Sequence, residues 1–134
     1  MSVLRMTAEQ FAARQKLTSP KARTQALGRL KTGAMNKTEA RYAQHLEGLR
    51  IAGDVNWYRF EACKFRLADL TFYTPDFMLM RDTGEIELHE VKGARAIFQD
   101  DARVKIKVAA ELFPIFRFVA VYPSGTGWKM EVFG

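Results

Sequence analysis

Asp76, Glu90 and Lys92 are the side chains of this 134-residue chain whose types and spacing could do chemistry. Two carboxylates brought together suit an oxygen-preferring divalent cation, since Mg²⁺ takes one or two carboxylates plus waters and substrate phosphate oxygens. An ammonium beside them can orient an attacking water or neutralise charge that develops on a phosphate. A β-hairpin would bring the three together. Met78, Met80, Ile86 and Leu88 alternate with other residues, and Arg81-Asp82-Thr83-Gly84 between them has turn chemistry. A hairpin centred on Thr83 pairs Met80 with Ile86, Met78 with Leu88 and Asp76 with Glu90, and puts Lys92 beside Glu90. Opposed like charges that continue an apolar row are destabilising, which is a physical reason to expect a cation. The alternative is that both acids end their strands in solvent and Lys92 forms a surface ion pair of little worth.

The elements that must position these residues are legible on either side. Asn36 to Ala52 reads as a helix, with Asn36 as N-cap, Tyr42, Ala43, Leu46 and Leu49 along one stripe, and Gly53 as terminator. Glu39 has two readings, a capping-box glutamate or an acid one turn before Tyr42 that leans toward the hairpin. Glu47 falls on the solvated side. Val55 to Glu61 and Lys64 to Tyr73 are strand-like, and their aromatic residues Trp57, Tyr58, Phe60, Phe65, Phe72 and Tyr73 are expected to fill the core rather than stack on bases. His89 lies between Leu88 and Glu90, so alternation points it to the opposite face from Glu90 and Lys92. After a connection from Ala94 to Gln99, Asp100 or Asp101 starts a helix that runs to Phe113 and is stopped by Pro114. The rival is a strand over Ala102 to Val108. Phe116 to Tyr122 is a buried strand, Pro123 to Gly127 a loop, and Trp128, Met130 and Val132 mark a final edge strand.

Pro75-Asp76, followed fourteen positions later by Glu90-Val91-Lys92, resembles the PD-(D/E)xK nuclease signature. A preceding helix with a glutamate, and a following helix and strand, resemble that superfamily's αβββαβ core. More narrowly, NKTEARYAQHLE, YTPDF, HEVKG and the AAELFP helix end resemble a family of small phage and prophage proteins with this nuclease core, over about residues 36 to 122. The resemblance implies an α/β (α+β) restriction-endonuclease-like fold with a central mixed sheet between helices, and Mg²⁺-dependent hydrolysis of DNA phosphodiesters, with Mn²⁺ as a substitute. It implies Asp76, Glu90 and the Val91 carbonyl as metal ligands, and Lys92 as the group that positions or helps deprotonate water. It also favours the second reading of Glu39, as an addition to the metal site. The implied setting is phage DNA recombination, repair or processing in the cytoplasm of a bacterial host. Two rivals stand beside it: a structure-selective junction resolvase, which needs a homodimer, and a catalytically inactive nucleic-acid-binding protein.

Composition bounds these readings. At this length, 48% apolar residues suffice for the core of one domain. No apolar run approaches the ~18 residues of a membrane span, and Met1 to Gln15 lacks the apolar centre of a signal peptide, so an intracellular protein without membrane contact is expected. Cys63 is the lone cysteine, which excludes an internal disulfide and a cysteine zinc site. The net charge of +6 is uneven. Residues 1 to 37 carry eight Lys or Arg against Glu9, for +7, leaving thirteen against fourteen, or −1, for the rest. The division expected is a basic arm over 1–35, with a short helix opening at Thr7, and a nuclease domain over 36–134. Arg23, Arg29 and Lys31 from the arm, Lys37 just after it, and Arg103, Lys105 and Lys107 from the helix that follows the hairpin, are the candidates for contacting DNA phosphates. There is no P-loop and no GxGxxG.

Overall fold

The computed structural model describes residues 33–93 and 101–134. The expected arm over 1–35, with Arg23, Arg29 and Lys31, falls almost wholly outside the described residues, as does the connection through Gln99. Lys37 to Gly134 forms one compact unit.

The first helix among the described residues, α1, spans Lys37–Ala52 and starts directly after Asn36. Its end is a Schellman closure: Gly53 adopts φ 90°, its N–H donates to the Arg50 carbonyl at 3.1 Å, and the Asp54 N–H donates to the Leu49 carbonyl at 2.9 Å. Strand β1 (Val55–Phe60) follows, then a short ribbon of β2 (Phe65–Ala68) and β3 (Thr71–Tyr73). The central hairpin is β4 (Phe77–Arg81) and β5 (Ile86–Val91). Helix α2 (Asp101–Leu112), β6 (Arg117–Ser124) and β7 (Gly127–Phe133) complete the chain.

Five strands form one sheet in the order β1-β4-β5-β6-β7, and β2-β3 forms a separate two-stranded sheet. The β5–β6 pair is parallel and the other three pairs are antiparallel, so the sheet is mixed. Taken as α1, β1, β4, β5, α2 and β6, the order is the αβββαβ expected from the sequence. The β2-β3 ribbon is inserted after its first strand, and β7 is added at the far edge. Among the described residues no helix is long and apolar enough to cross a membrane.

The two faces of the sheet bury different sets. Tyr42 and Leu46 of α1 pack on Val55, Phe77, Leu79, Val91, Val119 and Val121. On the other face Ile106, Ala109 and Ala110 of α2 and Phe65 and Tyr73 of the ribbon pack on Leu88, Phe118, Ala120 and Phe133. Each large side chain fully buried in this way contributes about 1.5 to 3 kcal/mol. Covering both faces explains why Phe118 to Tyr122 is apolar without alternation.

Three local expectations are corrected. The run from Lys64 to Tyr73 is not one strand but the β2-β3 ribbon, turned at Asp69-Leu70 with Leu70 at φ 55°. Trp57 and Phe72 are exposed rather than core, because a register shift after Val55 turns Trp57 to the other face of the edge strand β1 and alternation puts Phe72 on the open face of the ribbon, whereas Phe65 and Tyr73 are buried. Pro123 and Ser124 belong to β6, paired with Trp128 and Gly127, which shortens the expected loop to Gly125-Thr126. The edge position of β7 is as expected, although its buried end residue is Phe133, while Met130 and Val132 are exposed.

Candidate active site at the end of the central hairpin

The hairpin register is the one its alternation dictates. Met80 faces Ile86, Met78 faces Leu88 and Phe77 faces His89. The turn closes through the Gly84 N–H to the Arg81 carbonyl at 2.9 Å, with Gly84 at φ 91°, a conformation glycine adopts without strain. The ladder stops one pair short of Asp76 and Glu90. Asp76 bends out of the strand, and its Oδ2 accepts a hydrogen bond from the Val91 N–H at 2.7 Å. Its own carbonyl accepts from the Glu61 N–H at 2.7 Å, which ties the end of β1 to the site.

Glu90 is buried, continuing the row of Ile86 and Leu88 on the α2 side. Two donors hold it. The Tyr73 hydroxyl donates to Oε1 at 2.9 Å, and the Lys92 Nζ lies 3.0 Å from Oε2. Lys92 thus stands beside Glu90, as the alternation predicts, with its N–H anchored on the Val121 carbonyl at 2.8 Å. Glu39, on the first turn of α1, is close enough to the Asp76 carboxyl to contribute to its raised pKa. Glu39 therefore lies on the side of α1 that faces the end of the hairpin. Glu90 on β5, Asp76 just before β4, Lys92 just after β5 and Glu39 on α1 gather at one end of the sheet, at the carboxyl end of the parallel strand β5.

The electrostatics follow from burial and crowding. Burial first, then the charge of Glu90, and further the charge of Glu39 and a hydrogen bond to it, push the Asp76 carboxyl up from 3.8 to about 9, against the Val91 amide, which lowers it. Glu90 is also raised, chiefly by burial, with Lys92 and Tyr73 opposing. Burial and the adjacent Glu90 raise Tyr73, so its hydroxyl stays a donor. Among the described residues no three Asp, Glu, His or Cys side chains converge into a ready ligand cage. Protein donors hold the acids instead: the Val91 amide for Asp76, and Tyr73 and Lys92 for Glu90. The donor chemistry nonetheless fits a hard cation, because crowded carboxyls that can be ionised together only at a cost are those a divalent ion stabilises.

The cationic candidates are spread out. Lys37 and Lys107 are exposed and Lys105 is half-buried. Arg103 makes a bidentate pair with Glu131 at 3.2 and 2.7 Å and lies over the Phe133 ring at 5.3 Å, so it fastens α2 to β7. Glu131 sits in the row Glu90, Ala120, Glu131 across the sheet, two strands from the site.

Tyr73 reads from the sequence as core, with nothing to mark its hydroxyl. Sequence reasoning also misses a polar network on the opposite face. His89 is fully buried there, as strand alternation directs; its Nδ1 is 2.6 Å from the Tyr42 hydroxyl and its Nε2 2.8 Å from Glu87 Oε1. Glu87 in turn pairs with Arg81 at 3.2 Å. The usable signal is Glu87 and His89 two apart on a strand whose other residues on that face, with Phe77 and Leu79 beside them, are apolar.

No family model, curated protein or solved structure matches this chain. The class that fold and site define rests on geometry: an α+β domain with a mixed five-stranded sheet between helices, consistent with a restriction-endonuclease-like core, and an acidic cluster with one lysine at the end of its central hairpin.

Proposed function

We propose that this protein is a divalent-metal-dependent deoxyribonuclease that hydrolyses phosphodiester bonds. The observation that carries the reading is the gathering of Asp76, Glu90 and Glu39 with Lys92 3.0 Å from Glu90. A domain that only bound DNA would have no use for crowded acids, which repel phosphates unless a cation lies between. Asp76, Glu90 and the Val91 carbonyl are the ligands proposed for Mg²⁺ or Mn²⁺, with Glu39 joining directly or through water. When bound, the metal supplies charge stabilisation at the phosphate and a more acidic water.

The chain's own residues do the rest. Tyr73 and Lys92 hold the Glu90 carboxylate in one orientation. The Val91 amide fixes Asp76. The Lys92 ammonium, partly exposed at 23%, is placed to orient the attacking water and to offset negative charge on the phosphate. The basic N-terminal sequence and Lys37, Lys105 and Lys107 supply phosphate contacts. The resemblance noted in the sequence adds the expected setting, DNA processing inside a bacterial host.

The test is cleavage of linear duplex, single-stranded, flapped and four-way DNA with Mg²⁺ or Mn²⁺. Metal-dependent cleavage of at least one of them, lost in Glu90→Ala, is the expected result. Binding without cleavage of any of them under either metal would favour an inactive binding protein. Paired, symmetric cuts confined to the four-way substrate would identify a resolvase.

A further inference from the structure

Tyr42 and Glu39 lie one turn apart on α1, and His89 directly precedes Glu90 on β5. The Tyr42 hydroxyl and His89 Nδ1 are 2.6 Å apart, and both residues are fully buried. This polar bond therefore joins the helix that carries one acid of the cluster to the strand that carries another.

The bond is one link of a longer buried chain. Burial alone would raise Glu87, but hydrogen bonds from His89 and Arg81 outweigh it and bring its carboxyl down to about 2, so Glu87 is an anion and accepts. His89 Nε2, 2.8 Å from Glu87 Oε1, then donates to that carboxylate. Nδ1, at the other side of the ring, is bonded to the Tyr42 hydroxyl. The chain runs Tyr42 to His89 to Glu87, and Arg81 donates to Glu87 from the other side. Ring packing restrains it further, with Phe77 and Trp128 at 5.7 and 4.8 Å from Tyr42, both edge-on. A buried chain of directional bonds with no unsatisfied atom adds a constraint on the register of α1 that non-directional apolar burial does not supply.

We propose that Tyr42 and His89 are positioning residues that brace α1 against β5 and so hold Glu39 at Asp76 and Glu90. The inference rests on the metal-site reading above. Neither residue touches the metal or the substrate; both act through Glu39.

The experiment is a double-mutant cycle read by Mn²⁺ binding, with calorimetry on wild type, Tyr42→Phe, Glu39→Ala and the double variant. Tyr42→Phe keeps the ring and removes only the hydroxyl. It is expected to weaken Mn²⁺ binding about tenfold, the low end for residues that orient a ligand. In the Glu39→Ala background the same change should have no effect, because nothing is left to position. Leu46→Ala, one turn further along the same buried stripe and without a polar partner, controls for general loosening of the helix. It should lower the melting temperature and leave Mn²⁺ affinity intact. An equal loss from Tyr42→Phe in both backgrounds, no loss in either, or a matching loss in Leu46→Ala would overturn the brace while the metal site stands. Failure of the wild type to bind Mn²⁺ at all would overturn the metal site itself, and the brace with it.

Discussion

Replacing Asp76 with asparagine should make the metal-free protein more stable and deprive it of stabilisation by metal. Burial and the nearby charges of Glu90 and Glu39 raise the Asp76 carboxyl from 3.8 to about 9, so at pH 7 the folded protein holds a proton there that the unfolded chain has released. An acid raised in this way binds more protons folded than unfolded. Its effect is nil below the unfolded value of 3.8 and grows into a penalty as pH rises toward 9. Neutral pH lies a little over three pH units above the unfolded value, and at about 1.36 kcal/mol per unit the ceiling is about 4 kcal/mol. Asp76 keeps some exposure at the strand end, where effective dielectric is high, and the gain is set at about 1 to 2 kcal/mol. Asparagine retains an oxygen for the Val91 amide and gains an N–H for Glu39, so no buried partner is orphaned. Against this, Mg²⁺ at a hundred times its dissociation constant would stabilise the wild type by about 2.7 kcal/mol and the variant hardly at all. Urea melts of both proteins between pH 5 and 9 provide the assay. With EDTA, the variant's advantage should widen with pH; with millimolar Mg²⁺, the gap should narrow or reverse. An advantage that stays constant with pH, combined with equal Mg²⁺ shifts in both proteins, would refute the reasoning.

Further substitutions separate chemistry from binding. Lys92→Ala and Glu90→Ala should abolish metal-dependent cleavage while leaving DNA affinity within a few-fold, and full activity in Lys92→Ala would remove the lysine from the mechanism. Tyr73→Phe removes a hydroxyl that orients a ligand and should lower Mn²⁺ affinity about tenfold with DNA affinity unchanged, measured by calorimetry and by filter binding. Deleting residues 1–33 removes seven Lys or Arg together with Glu9. Every phosphate that the shortened chain no longer neutralises should flatten the slope of log affinity against log salt by about 0.9 on duplex DNA, and an unchanged slope would show that the segment does not touch DNA.

The parts of this fold that are legible in the sequence are those with a local cause. The β4–β5 register follows from alternation about a turn with glycine at positive φ, and α1 from its cap and its Gly53 terminator. Helix α2 could be read as a strand over Ala102 to Val108, and it is the Ala109-Ala110-Glu111-Leu112 continuation that favours the helix formed. What stays hidden depends on which surface covers which. Trp57 and Phe72 have the same composition signal as Phe65 and Tyr73. The register shift between Val55 and Trp57 at the sheet edge, and the alternation that puts Phe72 on the open face of the ribbon opposite Tyr73, separate exposed from buried.

The same distinction divides the site. Alternation alone places Lys92 next to Glu90 and His89 behind it, because both are consequences of period two along one strand. The gathering of Glu39 needs α1 to dock at a particular register, and no spacing in the sequence specifies that. In the fold, the register is constrained by the polar chain that starts at Tyr42, three residues from Glu39, and ends at Arg81, the last residue of β4. A buried histidine that shares its two nitrogens between a tyrosine on a helix and a glutamate on its own strand costs desolvation that two apolar residues would avoid. Retaining it makes physical sense where the position of the helix, more than its affinity for the sheet, is what the acidic cluster requires.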